Sequence, residues 1–232
     1  NSPTSSVIYR PTTPAPMADK LKLELPQVES AARLVPPYEN PNNVLVVRGN
    51  RRFFEKRIFF ADPEIFDLFS IPLIKGSPHR LFSESNTVLI TRHMAEKYFG
   101  REDPVGKSIQ MEFDYDIGAS RVKIQPFKVI GVIENPRKNT HLKYNMLVSI
   151  DTMRANRRGF ESDWLNFHSK ITYIKLKKGS DPKGVELLLK PFAAEMVKKY
   201  ELRFKRKHYG LEYQIQKITD IHMDHLNIRE SE

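Results

Sequence analysis

The spacing of apolar residues changes period repeatedly along the chain, and each change predicts an element. Met17, Leu21 and Leu25 recur at helical intervals across residues 14–25, and Pro26 stops that helix. Residues 29–35 and 44–47 read as strands, joined by a Pro-Pro-Tyr-Glu-Asn-Pro-Asn-Asn loop with strong turn chemistry. Residues 52–61 read as a third strand. Asp62 precedes Pro63, so it is expected to cap a short helix whose apolar face is Ile65, Phe66, Leu68 and Phe69, with Gly76 ending the segment. A buried strand follows at 87–90. Thr91 then caps a helix carrying Met94, Ala95, Tyr98 and Phe99, and Gly100 stands where a left-handed C-cap is wanted. The turn Asp103-Pro104-Val105-Gly106-Lys107 leads into the next strand.

Further strands are expected at 107–113, 122–135 and 146–149, with 114–121 as a polar hairpin tip. After a strand at 171–177, a Lys-Gly-Ser-Asp-Pro turn opens a helix over 182–200. Val185, Leu188, Leu189, Phe192 and Met196 share one face of it, and Pro191 predicts a bend or break. Residues 209–218, with Leu211, Tyr213 and Ile215 alternating, read as a closing strand. The Ser-, Thr- and Pro-rich lead, 1–13, is expected to run extended. The first unit reads as a helix with a small antiparallel sheet, further strands and helices follow, and the class is α+β.

At 232 residues the chain is long enough for one large domain or two joined ones, and 40% hydrophobic with 28% charged residues is a globular composition. There is no cysteine, which removes disulfides, thiolate metal sites and cysteine nucleophiles together. No apolar run approaches the roughly 20 residues of a membrane-spanning helix. The chain starts at Asn1 without a methionine or signal sequence, so an excerpt of a longer protein is expected. The net charge of +10 comes from 38 Lys and Arg against 28 Asp and Glu. The cations are scattered and no nucleic-acid module motif accompanies them, so a solvated surface, favoured by anionic lipid headgroups nearby, is the better reading.

Candidate chemistry is sparse. His222, Asp224 and His225 form a His-x-Asp-His cluster, but a metal site needs three or four convergent ligands and only a terminal tail offers them. His79, His93, His141, His168 and His208 have no carboxylate at a telling spacing. Ser83, Ser85 and Ser149 lack a Gly-x-Ser-x-Gly elbow, and no Gly-x-x-x-x-Gly-Lys-Ser/Thr loop exists. Trp164 reads as a packing residue at a junction rather than a ligand platform.

One stretch is more specific. Residues 60–109, with ADPEIFDLFSIPLIKG and then TVLITRHMAEKYFGREDPVGKSI, continue through FKVIGVIENP and HLKYNMLVS to ITDIH at 218–222. This series resembles the extracytoplasmic core domain of MacB-like ABC transporter permeases, the group that includes lipoprotein-release and FtsX-like permeases. The resemblance covers about residues 45–222. It implies a discontinuous porter-like β-α-β subdomain, 1–80 with 161–232, around an inserted strand-rich Sabre-like subdomain, 81–160. The strands at 87–149 would then form a lobe separate from a layer shared by 14–61 and 171–218. It further implies a non-catalytic domain on the periplasmic side of the bacterial inner membrane, between transmembrane helices absent from this chain. A second permease copy, an ATPase subunit and a periplasmic adaptor or lipoprotein would be its partners, with ATP held on another domain or subunit and no cofactor here. Asp62, Gly76, Gly100, Pro104 and Gly106 would serve as turns and caps holding the subdomains in register. The competing reading is a stand-alone extracytoplasmic lipid- or peptide-binding protein.

Overall fold

Most of the apolar runs read as strands are strands in a computed structural model, which describes residues 12–37, 43–77, 82–115, 123–166, 170–207 and 210–221. The elements run α1 (Met17–Glu24), β1 (Val28–Val35), β2 (Val44–Arg48), β3 (Arg51–Glu55), β4 (Ile58–Ala61), α2 (Ile65–Phe69), β5 (Leu73–Gly76) and β6 (Thr87–Thr91). They continue with α3 (Arg92–Phe99), β7 (Ser108–Phe113), β8 (Lys123–Ile133), β9 (Met146–Ser149), α4 (Asp151–Asn156), β10 (Ile171–Leu176), α5 (Pro182–Leu187) and α6 (Lys190–Phe204). Single 3-10 turns occupy Phe160–Ser162 and Ile218–Asp220.

The strands form one ten-stranded mixed sheet in the order β10-β1-β4-β9-β6-β8-β7-β2-β3, with β5 also on β8. The β4–β9 and β6–β8 pairs are parallel and the others antiparallel. Because β6 pairs with residues 128–133 of β8, β7 with 123–128 and β5 with 131–133, β7 and β5 share the edge of β8 opposite β6.

Only Lys56 and Arg57 separate β3 from β4, so Glu55 and Ile58 lie within about 11 Å of each other. Yet six strand spacings divide β3 from β4 in the sheet, about 29 Å if it were flat. The sheet therefore curls strongly, and the ring of Phe60 on β4 lies 4.9 Å from that of Phe113 on β7. Its concave face encloses the largest core cluster, among whose residues are Val46, Phe60, Val88, Ile90, Phe113, Phe127 and Val148. Alternate residues on the same strands, Leu34, Leu89 and Leu147, face a second cluster beneath α2. Burial on both faces explains the unbroken apolar runs of β6 and β9.

Three expectations need correction. Strands 87–149 are not a separate lobe: β9 is laddered to β4 and β7 to β2, so the sheet runs unbroken across 80/81 and 160/161. Leaving the edge of β4 unpaired inside the core would strand its backbone amides and carbonyls. Residues 52–61 are two strands, because Arg57 adopts φ +60° and the chain changes partner there. Residues 211–217 form no ladder; Tyr213 and Ile215 pack sideways on a third cluster, and the Ile215 amide donates to Glu186 Oε2 at 2.7 Å. The helix expected over 182–200 does break, with Pro191 in the first turn of α6 rather than inside a continuous helix.

Candidate functional site

A cation in the buried second half of strand β1 organises an extended polar cluster. Arg33 is 1% exposed. Its Nε and Nη2 donate to Asp62 Oδ2 and Oδ1, each at 2.8 Å, and its backbone amide donates to Asp62 Oδ2 at 2.7 Å. Nη1 donates to Glu161 Oε2 at 2.7 Å and to the Ala15 carbonyl at 3.0 Å, with Asp19 Oδ2 at 3.3 Å. Arg154 of α4 closes the cluster, pairing with Asp151 at 2.6 Å, with Glu161, and with Asp62 at 3.8 Å. Segments before α1, within β1, after β4 and after α4 are thus tied to one guanidinium. Burial alone would lower the Arg33 pKa, but the Asp62 hydrogen bonds and the charges of Asp62, Glu161 and Asp19 outweigh it and hold it above its ordinary value. At Asp19 the balance goes the other way: burial raises its pKa, and Arg33 only partly offsets this.

Beside this cluster the early and late parts of the chain are clamped together. β1 pairs with β10 along its length, and the Thr13 amide donates to the Lys170 carbonyl at 2.7 Å. Met17, Ala18 and Leu21 of α1 pack with Val185, Leu189 and Phe192 in the third apolar cluster. Over it, Glu195 of α6 accepts from Lys20 of α1 at 2.8 Å and pairs with Lys199 at 2.9 Å. Both ammonium groups lie over the Trp164 ring, 5.3 and 4.6 Å from its centroid. Hydrogen bonds from Lys199 and Lys20 hold the Glu195 carboxyl down to about 2, below its ordinary 4.5. A depressed carboxylate stabilises the fold above its unfolded pKa and loses that contribution as pH falls toward the folded one. Fluorescence of Trp164, the single tryptophan, is therefore expected to titrate as pH falls from 4.5 toward about 2, and Glu195→Gln is expected to abolish that transition. The same titration in both proteins would dismiss the clamp as its source.

The residues singled out from the sequence fall in separate places. Asp62 does not cap α2: the residue before that helix is Glu64 and no side chain caps it, because both oxygens of Asp62 are turned to Arg33. Gly76 ends β5 at φ +109° against the backbone of β8. Gly100 follows α3 at φ +63° and ψ −116°, a glycine conformation other than the left-handed helical cap expected there, and Thr91 Oγ1 accepts from the Met94 amide at the other end. Pro104 is buried, its carbonyl accepts from the Lys107 amide, and the Gly106 amide donates to Val129, which fastens the turn to β8. None of these four touches the Arg33 cluster. His222, Asp224 and His225 lie outside the described residues. Among the described residues no group of three or more His, Asp or Glu could hold a metal, and no helix is long and apolar enough to cross a membrane. Arg33, Glu161, Arg154, Lys20 and Glu195 were not singled out from the sequence. For Arg33 a signal existed, since a lone cation in Ala-Ala-Arg-Leu-Val must find a buried partner.

The family model of the MacB-like periplasmic core domain matches residues 2–191. The chain belongs to that family. It is a periplasmic domain of a MacB-like ABC transporter permease. No curated protein matches the chain. Solved structures share the fold of this MacB-like domain. A domain of a Porphyromonas gingivalis protein described as a permease superposes with a TM-score of 0.63 at 20% identity, covering 91% of this chain and 86% of its own. The periplasmic region of MacB from Actinobacillus actinomycetemcomitans gives 0.52 at 16% identity, with 82% and 73% covered. The extracellular domain of the noncanonic ABC-type transporter YknZ from Gram-positive bacteria gives 0.52 at 16%, with 90% and 91% covered. The α+β class and the large mixed sheet agree with these neighbours. Most of α6 and the segment after it lie beyond the end of the family match.

Proposed function

We propose that this domain carries ATP-driven motion from the membrane part of its permease to the periplasmic side, and performs no catalysis itself. The observation that supports the reading is the clamp of α1 and β1 onto α6 and β10. Segments from the two ends of the fold are joined in one layer, and that layer continues through Arg33 into a single curled sheet. A displacement applied to either end moves the whole sheet rather than one flap, because a packed core transmits strain. ATP binds on a separate nucleotide-binding domain or subunit, transmembrane helices flanking the domain move, and paired domains of two permease copies shift against each other or against an adaptor or lipoprotein.

The test uses the complete permease with its ATPase subunit in lipid nanodiscs. This part of it has no cysteine, so once any cysteines elsewhere in the permease are replaced, Leu187→Cys, at an exposed position of α5, introduces one spin-label site per copy. The distance distribution between the two copies is expected to differ between the nucleotide-free state and a hydrolysis-blocked ATP state. Identical distributions in an enzyme that still hydrolyses ATP would refute transmission through this domain.

A further inference from the structure

The second half of α6 is built differently from the first. Its buried residues are Phe192, Ala193 and Met196, and no residue from 197 to 207 is buried. On these last turns Leu202 is 71% exposed and Phe204 48%. Around them the sequence Lys198-Lys199-Tyr200-Glu201-Leu202-Arg203-Phe204-Lys205-Arg206-Lys207 sets six cations against one carboxylate. Lys199 is engaged by Glu195, while Lys205 ends the helix at φ +50° and turns the chain. The Arg206 guanidinium lies over the rings of Tyr200 and Phe204, at 5.5 and 5.6 Å, which are themselves 4.7 Å apart. An open concavity of about 430 Å³ beside them is lined by Glu201, Lys205, Arg206 and Lys207.

Exposed leucine and phenylalanine interleaved with basic residues on one helix end have two needs that a single partner meets. The cations gain from fixed negative charge, and the apolar groups gain from leaving water. Nucleic acid supplies the first but offers the leucine nothing. A bilayer interface with anionic headgroups supplies both, and each Lys or Arg near such a surface contributes about 1 kcal/mol. We infer that the end of α6 and the Lys205-Arg206-Lys207 segment dock end-on at the surface of an anionic phospholipid bilayer, so that Leu202 and Phe204, on different sides of the last turn, both reach the headgroup boundary. The inference rests on reading the domain as part of a membrane permease, and it adds a direct lipid contact outside the family match. Such a contact would fix the end of the clamp helix to the membrane plane, against which motion is passed on.

The 232-residue chain is floated with phosphatidylcholine vesicles, with and without phosphatidylglycerol. Binding is expected only with phosphatidylglycerol and is expected to fall at high salt. K205E/R206E is expected to lower the partition coefficient about tenfold or more. L202S/F204S is expected to weaken binding while leaving its salt dependence in place. R51E/R52E, which removes two cations from exposed β3, should leave it within about twofold, so that net charge alone is controlled for. All these positions are exposed, and an unchanged thermal midpoint verifies the fold. Equal binding to neutral vesicles, an unaffected K205E/R206E variant, or tighter binding to duplex DNA than to anionic vesicles would each overturn the proposal. Vesicle binding without any nucleotide-driven change at residue 187 would sink the transmission reading and leave this one standing; the converse result would do the opposite.

Discussion

Replacing Arg33 by methionine is expected to destabilise the domain by about 3–5 kcal/mol, since removing one partner of a buried pair leaves the other charge uncompensated. Asp62 would keep its place, 5% exposed, with only the Arg33 backbone amide and the more distant Arg154 to balance it. Urea unfolding at neutral pH measures the loss, and the thermal midpoint should drop by roughly 10 °C for a chain of this size. The size of the effect decides what Asp62 does. If it were a helix cap, its removal would cost only about 1 kcal/mol and would be independent of Arg33. In the geometry found, Asp62→Leu in an Arg33→Met background should cost far less than in the wild type, with a coupling energy of about 2 kcal/mol or more. Additive losses of about 1 kcal/mol each would restore the cap reading and dissolve the cluster.

That case shows where the sequence was legible and where it was not. Local signals stood close to the structure: Thr91 and Gly100 bracket α3, Asp181 caps α5 through the Lys183 and Gly184 amides, and the turn at Pro104 is a turn. Each rests on contacts within a few residues, which spacing can express. Asp62 misled because an aspartate before a proline has a good local use, while its actual partner lies 29 residues away, a lone cation in the buried second half of another strand. The curl of the sheet was hidden for the same reason. Pairing of β4 with β9 or of β1 with β10 is chosen by side-chain fit between segments far apart in the chain, and period-2 alternation is equally satisfied by any neighbour. Joining β3 and β4 into one strand followed from ten residues without glycine or proline, nine of them apolar or basic; only the positive φ of Arg57 breaks them. The family resemblance, carried by the short turn and cap motifs, gave the class of protein without giving this long-range pairing.

The second large effect is expected where β5 meets β8, and it separates three glycine positions by what surrounds them. A Cβ at Gly131, inside β8, would stand 2.6 Å from the Lys75 carbonyl oxygen and 2.8 Å from Leu89 Cδ2, a core side chain of the second cluster. The β5 carbonyl can draw back with its edge strand but the buried Leu89 cannot, so Gly131→Ala is expected to cost about 3 kcal/mol through overpacking of the core. A Cβ at Gly76 would stand 2.5 Å from the Ile130 carbonyl oxygen, and the residue sits at φ +109°, which L side chains rarely adopt. Backbone atoms cannot rotate aside, but β5 is an exposed edge and can peel from β8 instead. Gly76→Ala is therefore expected to cost about 2 kcal/mol, mostly as local opening. Hydrogen exchange should accelerate at the amides that join residues 73–76 to 131–133, while amides of β6 and β9 stay protected. Gly100→Ala meets nothing within 4 Å and bears only the strain of its backbone conformation, about 1 kcal/mol. The order Gly131, Gly76, Gly100 follows from the close approach of two backbones; equal losses at all three would mean that turn conformation alone, and not the β5–β8 contact, is what these glycines serve.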